Sequence, residues 1–253
     1  MSATSSSTGA IAGVRSRDGR GSGRGRLGNT LSGIAVALGC VLFLGGFAWA
    51  AFMYRPYTVP TNSMQPTVRP GDKVLAQRVS GSSVHRGDVV VFKDPLWGDM
   101  PEVKRVVGVG GDKVACCDSQ GRLTVNGTPV RETYLDHPGR ASLTGFSTVV
   151  PKGELFLLGD NRDVSQDSRI RLQDAQGGSV PASDVKGRVA ATAWPTGRMG
   201  MLSRTPAFDA LAGGGASSAG PLEWLVVMVV AGVVLILGGA AYGPVAKLLS
   251  RRR

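Results

Sequence analysis

Two long apolar runs bracket a stretch in which apolar and polar residues alternate at short range. The first, residues 31–54 (LSGIAVALGCVLFLGGFAWAAFMY), carries no charged side chain. Its length suffices for a helix across the roughly 30 Å hydrocarbon layer of a bilayer. Trp49 and Tyr54 stand near its far end, where amphipathic rings favour the interface with water. Ala48, Trp49 and Ala50 have the form of a leader cleavage site, yet the run exceeds the roughly 7–15 apolar residues of a secretory leader. It therefore reads as an uncleaved anchor. The second run, residues 222–242 (LEWLVVMVVAGVVLILGGAAY), opens on Glu223 and Trp224 and is followed by Lys247 and Arg251 to Arg253. Soluble helices this uniformly apolar are rare, so it reads as a second span.

Between the spans the hydrophobic period shortens from that of a helix to that of a strand. KVLAQRV, DVVVFK, EVKRVVGV, RLTVNG, ELFLLGD and GRVAATAW recur between Gly-Asp and Asn-Gly turns, and Asn126-Gly127 is a strong hairpin signal. The fold class expected is mainly β: an irregular antiparallel sheet or barrel-like domain with transmembrane helices at its N- and C-terminal ends. No internal repeat is evident.

Charge then fixes an expected orientation. The chain has 253 residues, 42% hydrophobic, with a net charge of +11. Such a balance raises nucleic acid as a partner, but the basic residues gather beside the apolar runs. Arg15, Arg17, Arg20, Arg24 and Arg26 precede the first, and the terminal arginines follow the second. Membrane orientation accounts for both clusters, and no nucleic-acid partner is expected. By the positive-inside rule both termini are cytoplasmic and residues 55–221 lie outside a cell membrane crossed twice. The divisions expected are a disordered basic tail over 1–30, a span over 31–54, an extracytoplasmic domain over 55–204, a flexible Gly/Ser-rich linker over 205–221, a span over 222–242 and a basic tail over 243–253. Three cysteines exclude a disulfide framework. Cys40 reads as an inert small hydrophobe. The adjacent Cys116 and Cys117 leave two alternatives, free thiols or a strained bridge, because neighbouring α carbons sit about 3.8 Å apart. No Cys/His set stands at zinc-ligand spacing, so no metal is expected.

Ser63 lies about ten residues past the first span, between Pro60 and Pro66, in a segment too irregular for a central strand. A serine nucleophile needs a base within hydrogen-bond reach. The two histidines, His85 and His137, both precede turns and read as exposed. Lysine is the other option, since burial disfavours its charged form. Lys104 sits in the strand-like run PEVKRVVGVGGD, where alternation puts it on one face with Val106 and sends Arg105 to the opposite, solvent-facing side. A third polar segment, GDNRDVSQDSR over 159–169, follows the apolar ELFLL. In it Ser165 and Ser168 can hydrogen-bond, and Asp167 can pair with Arg169 or with Arg105.

With these segments in this order after a membrane span, the chain resembles bacterial type I signal peptidases, serine proteases of the Ser/Lys class. SMQPT (63–67) is similar to the family's nucleophile box, KRVVG (104–108) with Gly111 and Asp112 to its lysine box, and 159–169 to its third box. Weaker likenesses lie at Gly71-Asp72, GDVVVF (87–92), Trp194-Pro195 and Arg198, so the resemblance covers about residues 57–200. It implies a membrane-bound endopeptidase removing signal peptides from preproteins, close to the export machinery and to lipid, with no metal or organic cofactor. It further implies Ser63 as nucleophile, Lys104 as general base and Ser165 as the serine that orients the lysine. The oxyanion hole would be the Ser63 N–H with the Thr61 hydroxyl. Asp160, Asn161, Asp167, Ser168 and Arg169 would support the site, Asp167 and Arg169 as an ion pair and Ser168 near the cleft. Met64 would line the substrate channel. Two departures stand out: Gly110 replaces a proline usual in the lysine box, and a second span is not general in the family. Two other readings fit parts of the pattern. A self-cleaving Ser/Lys repressor peptidase would be soluble and DNA-binding, and a non-catalytic membrane scaffold would make no use of Ser63 and Lys104.

Overall fold

A computed structural model describes residues 23–137 and 141–251, with side chains described over 28–137 and 141–245. The chain divides into two compact units, residues 44–230 and the remainder. Helix α1 runs Gly23–Met53 and α2 runs Leu222–Arg251. Within them, Gly28–Met53 and Leu222–Val245 are long and apolar enough to cross a membrane. Both helices exceed the spans expected. Residues 23–30, read as part of a disordered tail, form the first turns of α1, and 243–251 continue α2, because extending an existing helix costs far less than nucleating one. The rest of both tails, residues 1–22 and 252–253, lies outside the described residues.

In the smaller unit the two helices meet through glycines. A methyl group on Gly39 would fall 2.8 Å from the Gly232 carbonyl oxygen, and one on Gly232 would fall 2.6 Å from the Phe43 amide nitrogen. Ser32 Oγ donates to the Gly239 carbonyl at 2.7 Å. Small residues let two backbones approach this closely, which is how apolar helices gain packing in lipid.

The larger unit is β, in keeping with the fold class expected. Its strands are β1 (Tyr54–Thr58), β2 (Lys73–Gln77), β3 (Val89–Phe92), β4 (Glu102–Val109), β5 (Lys113–Cys116), β6 (Leu123–Val125), β7 (Thr128–Pro129), β8 (Phe146–Val149), β9 (Glu154–Leu158), β10 (Val180–Pro181), β11 (Val185–Trp194) and β12 (Gly200–Met201). The main antiparallel sheet has the order β1-β2-β11-β3-β4-β9-β10, with β12 added to β11; a second has the order β7-β6-β5-β8. The β6–β7 hairpin turns at Asn126 and Gly127, whose φ values of 53° and 79° suit those residue types.

The unbroken apolar run of β3 follows from burial on both faces of the main sheet. Val89 and Val91 join Val59, Met64, Val74 and Val103 in one cluster, while Val90 and Phe92 join Trp97, Val106 and Leu157 in another. A third cluster gathers Val114, Leu123, Val125 and Phe156 with Phe208. Phe208 belongs to the segment read as a flexible linker, so that reading is corrected. Residues 205–221 pack on the β unit, with Phe208 wholly buried, Arg86 Nη1 donating to the Ala212 carbonyl and Ser217 Oγ donating to Asp88. Burying such a ring contributes about 1.5–3 kcal/mol, enough to hold a Gly/Ser-rich segment down. Tyr54 likewise is no interfacial anchor: it is buried against Ala191, Leu222 and Leu225, whereas Trp49 and Trp224 are exposed. Of the two alternatives at Cys116 and Cys117, the bridge is present. Cys40 is a free thiol.

Candidate active site

Ser63 sits in the irregular segment between β1 and β2, with Met64 and Val68 buried behind it. Hydrogen bonds from Val59 N–H to the Asp72 carbonyl and from Val68 N–H to the Met64 carbonyl close the segment on itself. The third polar segment grips it from outside: Asn161 N–H donates to the Ser63 carbonyl at 2.9 Å, and Asn161 Nδ2 donates to the Asn62 carbonyl at 3.2 Å. Gly159 is required where the two segments meet. A methyl group there would overlap Ser165 Oγ and lie 2.5 Å from the Ser63 carbonyl oxygen.

Lys104 projects from β4 with only 3% of its surface exposed. Its Nζ donates to Ser63 Oγ at 3.4 Å, a loose contact, and to Glu102 Oε2 at 2.8 Å. Thr61, exposed, places Oγ1 3.1 Å from Ser63 Oγ. These groups line a cleft of about 560 Å³ whose walls include Trp97, Met100, Val103 and Val164. Ser165 is buried, and its Oγ has no hydrogen-bond partner among the described residues.

The remaining predicted residues form scaffolding around this cleft. Asp160 accepts from Arg105 Nε at 2.8 Å, from Arg105 Nη2 at 2.6 Å and from Thr67 Oγ1. Arg105 is thus not the solvent-facing neighbour that strand alternation suggests. At 2% exposure it is held by Asp160, the Gly87 carbonyl and the Tyr134 ring. Burial works against its charge, but Asp160 outweighs that and holds its pKa above the ordinary arginine value. Asp167 accepts from Arg169 Nε and Nη2, each at 2.8 Å, and from Gly159 N–H at 3.0 Å.

Two placements differ from those the resemblance implies. Met64 is wholly buried in an apolar cluster with Val59, Val68 and Val103, behind the nucleophile and not among the residues lining the cleft. Ser168 is wholly buried too, its Oγ accepting from Leu157 N–H at 2.9 Å, so it fastens β9 and does not border the cleft. Both histidines are exposed and neither lines the cleft. The Pro138-Gly139 turn after His137 lies outside the described residues.

Sequence reasoning passed over Glu102, Glu132, Tyr134 and Arg162. Arg162 pairs with Glu132 at 2.5 Å and donates through Nε to the Gly159 carbonyl at 3.0 Å, so it braces the turn that presents Ser165. Burial, reinforced by the Glu132 charge, pushes the Tyr134 phenol well above its ordinary pKa. Glu132 and Arg162 each stand among other charged residues, Arg131 and Asp136 around the first and Asp160 and Asp163 around the second, a pattern that reads equally well as a solvated loop.

A serine hydroxyl whose nearest basic group is a buried amine, with no imidazole near the cleft, has the makings of a serine hydrolase that dispenses with histidine. Known proteins place the chain more narrowly. The family model described as signal peptidase, peptidase S26, matches residues 29–194, and the chain belongs to that family. A probable signal peptidase I of Mycobacterium leprae is 32% identical over 212 residues, covering 61% of this chain and 73% of the relative. Signal peptidase IB of Staphylococcus aureus is 36% identical over 180 residues, covering 64% and 86%. A crystal structure of a signal peptidase I from Enterococcus faecalis is 28% identical with a TM-score of 0.33, covering 41% of this chain and 93% of that one.

Proposed function

We propose that this chain is a membrane-anchored serine endopeptidase that removes signal peptides from preproteins through Ser63 and Lys104. The observation that carries the reading is the buried Lys104 amine beside Ser63 Oγ on the floor of an apolar-walled cleft, in a chain of the S26 family. Lys104 in its neutral form takes the Ser63 proton as Oγ attacks the scissile carbonyl. The amine then returns that proton to the departing amino group. Water, deprotonated in its turn by Lys104, releases the acyl chain. Developing negative charge on the carbonyl oxygen is met by the Ser63 N–H and the Thr61 hydroxyl; losing one such donor costs about 3–4 kcal/mol in the transition state. Ser165 receives the lysine amine once the resting contacts are broken, and Asp160, Asn161, Asp167 and Arg169 keep the third segment against the nucleophile.

Residues 55–204 form the catalytic domain outside the membrane, residues 205–221 lead back to it, and both termini are cytoplasmic. The short tether before Ser63 keeps the cleft near lipid and near the exit of the export machinery, where cleavage sites emerge. The test is cleavage of a signal-peptide-bearing preprotein by full-length enzyme in detergent, beside Ser63→Ala and Lys104→Met. Wild type alone should cut, at the leader junction. Cutting by either variant would refute the assignment of the residue it lacks. Folded protein inactive on several preproteins would favour the scaffold reading.

A further inference from the structure

The closest partner of the Lys104 amine is a carboxylate, and a lysine bonded in that way is not yet a base. Glu102 and Lys104 stand two residues apart on β4 and so share a face of the strand. Their ion pair measures 2.8 Å, the lysine side chain 3% exposed and the glutamate 29% exposed. Of the other groups that reach this place, Ser63 and Thr61 come from the segment between β1 and β2, and Ser165 from the third segment. Arg171, lining the same cleft, donates to the Leu96 carbonyl and to Asp174. Strand β3, paired with β4 here, contributes only apolar side chains. Two further observations fit an amine turned away from its working position: the 3.4 Å separation from Ser63 Oγ, and the unpartnered Ser165 hydroxyl.

Resting on the Ser63/Lys104 reading, we propose that Glu102 is a positioning residue that holds Lys104 as an idle ammonium until an apolar substrate segment fills the cleft. The physical sequence is direct. Apolar side chains entering beside Trp97, Met100 and Val103 exclude water from the glutamate. An ionised carboxylate resists that desolvation, so its partly exposed head swings out to solvent. The ammonium left behind is buried and unpaired, a state that favours loss of its proton. That proton passes to water, and the neutral amine turns to Ser165 and Ser63. Base formation is thereby made conditional on an apolar ligand.

The experiment is the pH dependence of kcat/KM for full-length enzyme on a preprotein, comparing wild type with Glu102→Gln. Glutamine keeps the size and removes the charge. At neutral pH the variant should be about fivefold faster, the effect expected of one partly exposed ion pair. The advantage should vanish in alkali. The thermal midpoint should hardly move, since Glu102 is partly exposed. Superimposable pH profiles would overturn the proposal, as would a loss of activity at every pH in folded Glu102→Gln, which would make the carboxylate an aid to catalysis. Persistent cleavage by Lys104→Met would instead refute the dyad on which the proposal rests.

Discussion

Ser165 buries a hydroxyl that meets no partner among the described residues, an arrangement that ordinarily costs about 1–3 kcal/mol. Gly159 fixes it there, because any side chain at 159 would collide with Ser165 and with the Ser63 carbonyl. On the proposed mechanism the partner that offsets this cost is the Lys104 amine released from Glu102. Ser165→Ala should therefore leave chemical stability unchanged or raise it by about 1 kcal/mol, since it removes an unsatisfied group. It should lower kcat by about a hundredfold with little change in KM, the scale on which acid–base catalysis depends on a positioned group. Denaturant titration and steady-state kinetics on the same preparation check both halves. A variant that loses stability and keeps kcat would make Ser165 a packing residue. The segments that hold Ser63, Lys104 and Ser165 stood out in the sequence because they resemble those of the family. Glu102 was not, since an acidic residue two places from a lysine on a strand edge reads as a solvated pair.

Strand β4 carries both the site and its support: Lys104 points to the cleft, Arg105 to Asp160, and the turn beyond Val109 presents Asp112. Six strands were legible from apolar runs between turns. β1, β5 and β8 were not, because YRPYT continues an apolar span and KVAC and FSTV are short and weakly patterned. Apart from Asp167 with Arg169, the buried pairs also escaped notice, since charge in sequence does not reveal burial. Asp112 is one of them. It accepts from Arg86 at 2.6 Å through both oxygens, from Val109 N–H at 2.8 Å and from Asn126 Nδ2 at 2.9 Å. Burial alone would raise its pKa, but the Arg86 bonds, backed by Val109 and Asn126, hold it below the ordinary carboxylate value. A depressed folded-state pKa contributes stability that is complete above the unfolded value of about 4 and is lost as pH falls through the folded value. Asp112→Asn, which leaves Arg86 buried without its counter-ion, should cost about 3–5 kcal/mol at neutral pH. The difference from wild type should shrink below about pH 4 as the native carboxylate takes up its proton. Urea titrations across that range measure the gap, and a gap independent of pH would detach the loss from the charge of Asp112.

At the scale of the whole molecule, both long apolar helices were legible from length and apolarity alone, because lipid imposes a requirement that composition can meet or fail outright. Two tertiary features were not. The docking of Phe208 depends on a single ring in a Gly/Ser-rich segment, too little to register as a pattern. The contact between the spans depends on which glycines face each other, and neither helix has a polar face to set its rotation. Gly39 with Gly232, and Ser32 with Gly239, supply that information only once the helices are side by side. If this packing holds the helices in one register, cysteines at 32 and 239, placed in a Cys40→Ser background, should form a disulfide on mild oxidation of membranes. After proteolytic cutting between the spans, the two helices should then migrate together on a non-reducing gel. Adding Gly232→Leu inserts a branched side chain where even a methyl group falls 2.6 Å from the Phe43 backbone, so the crosslink should drop at least severalfold. Crosslinking that is equally efficient with leucine at 232 would mean that the helices merely lie near each other, and that the glycine seam does not determine their register.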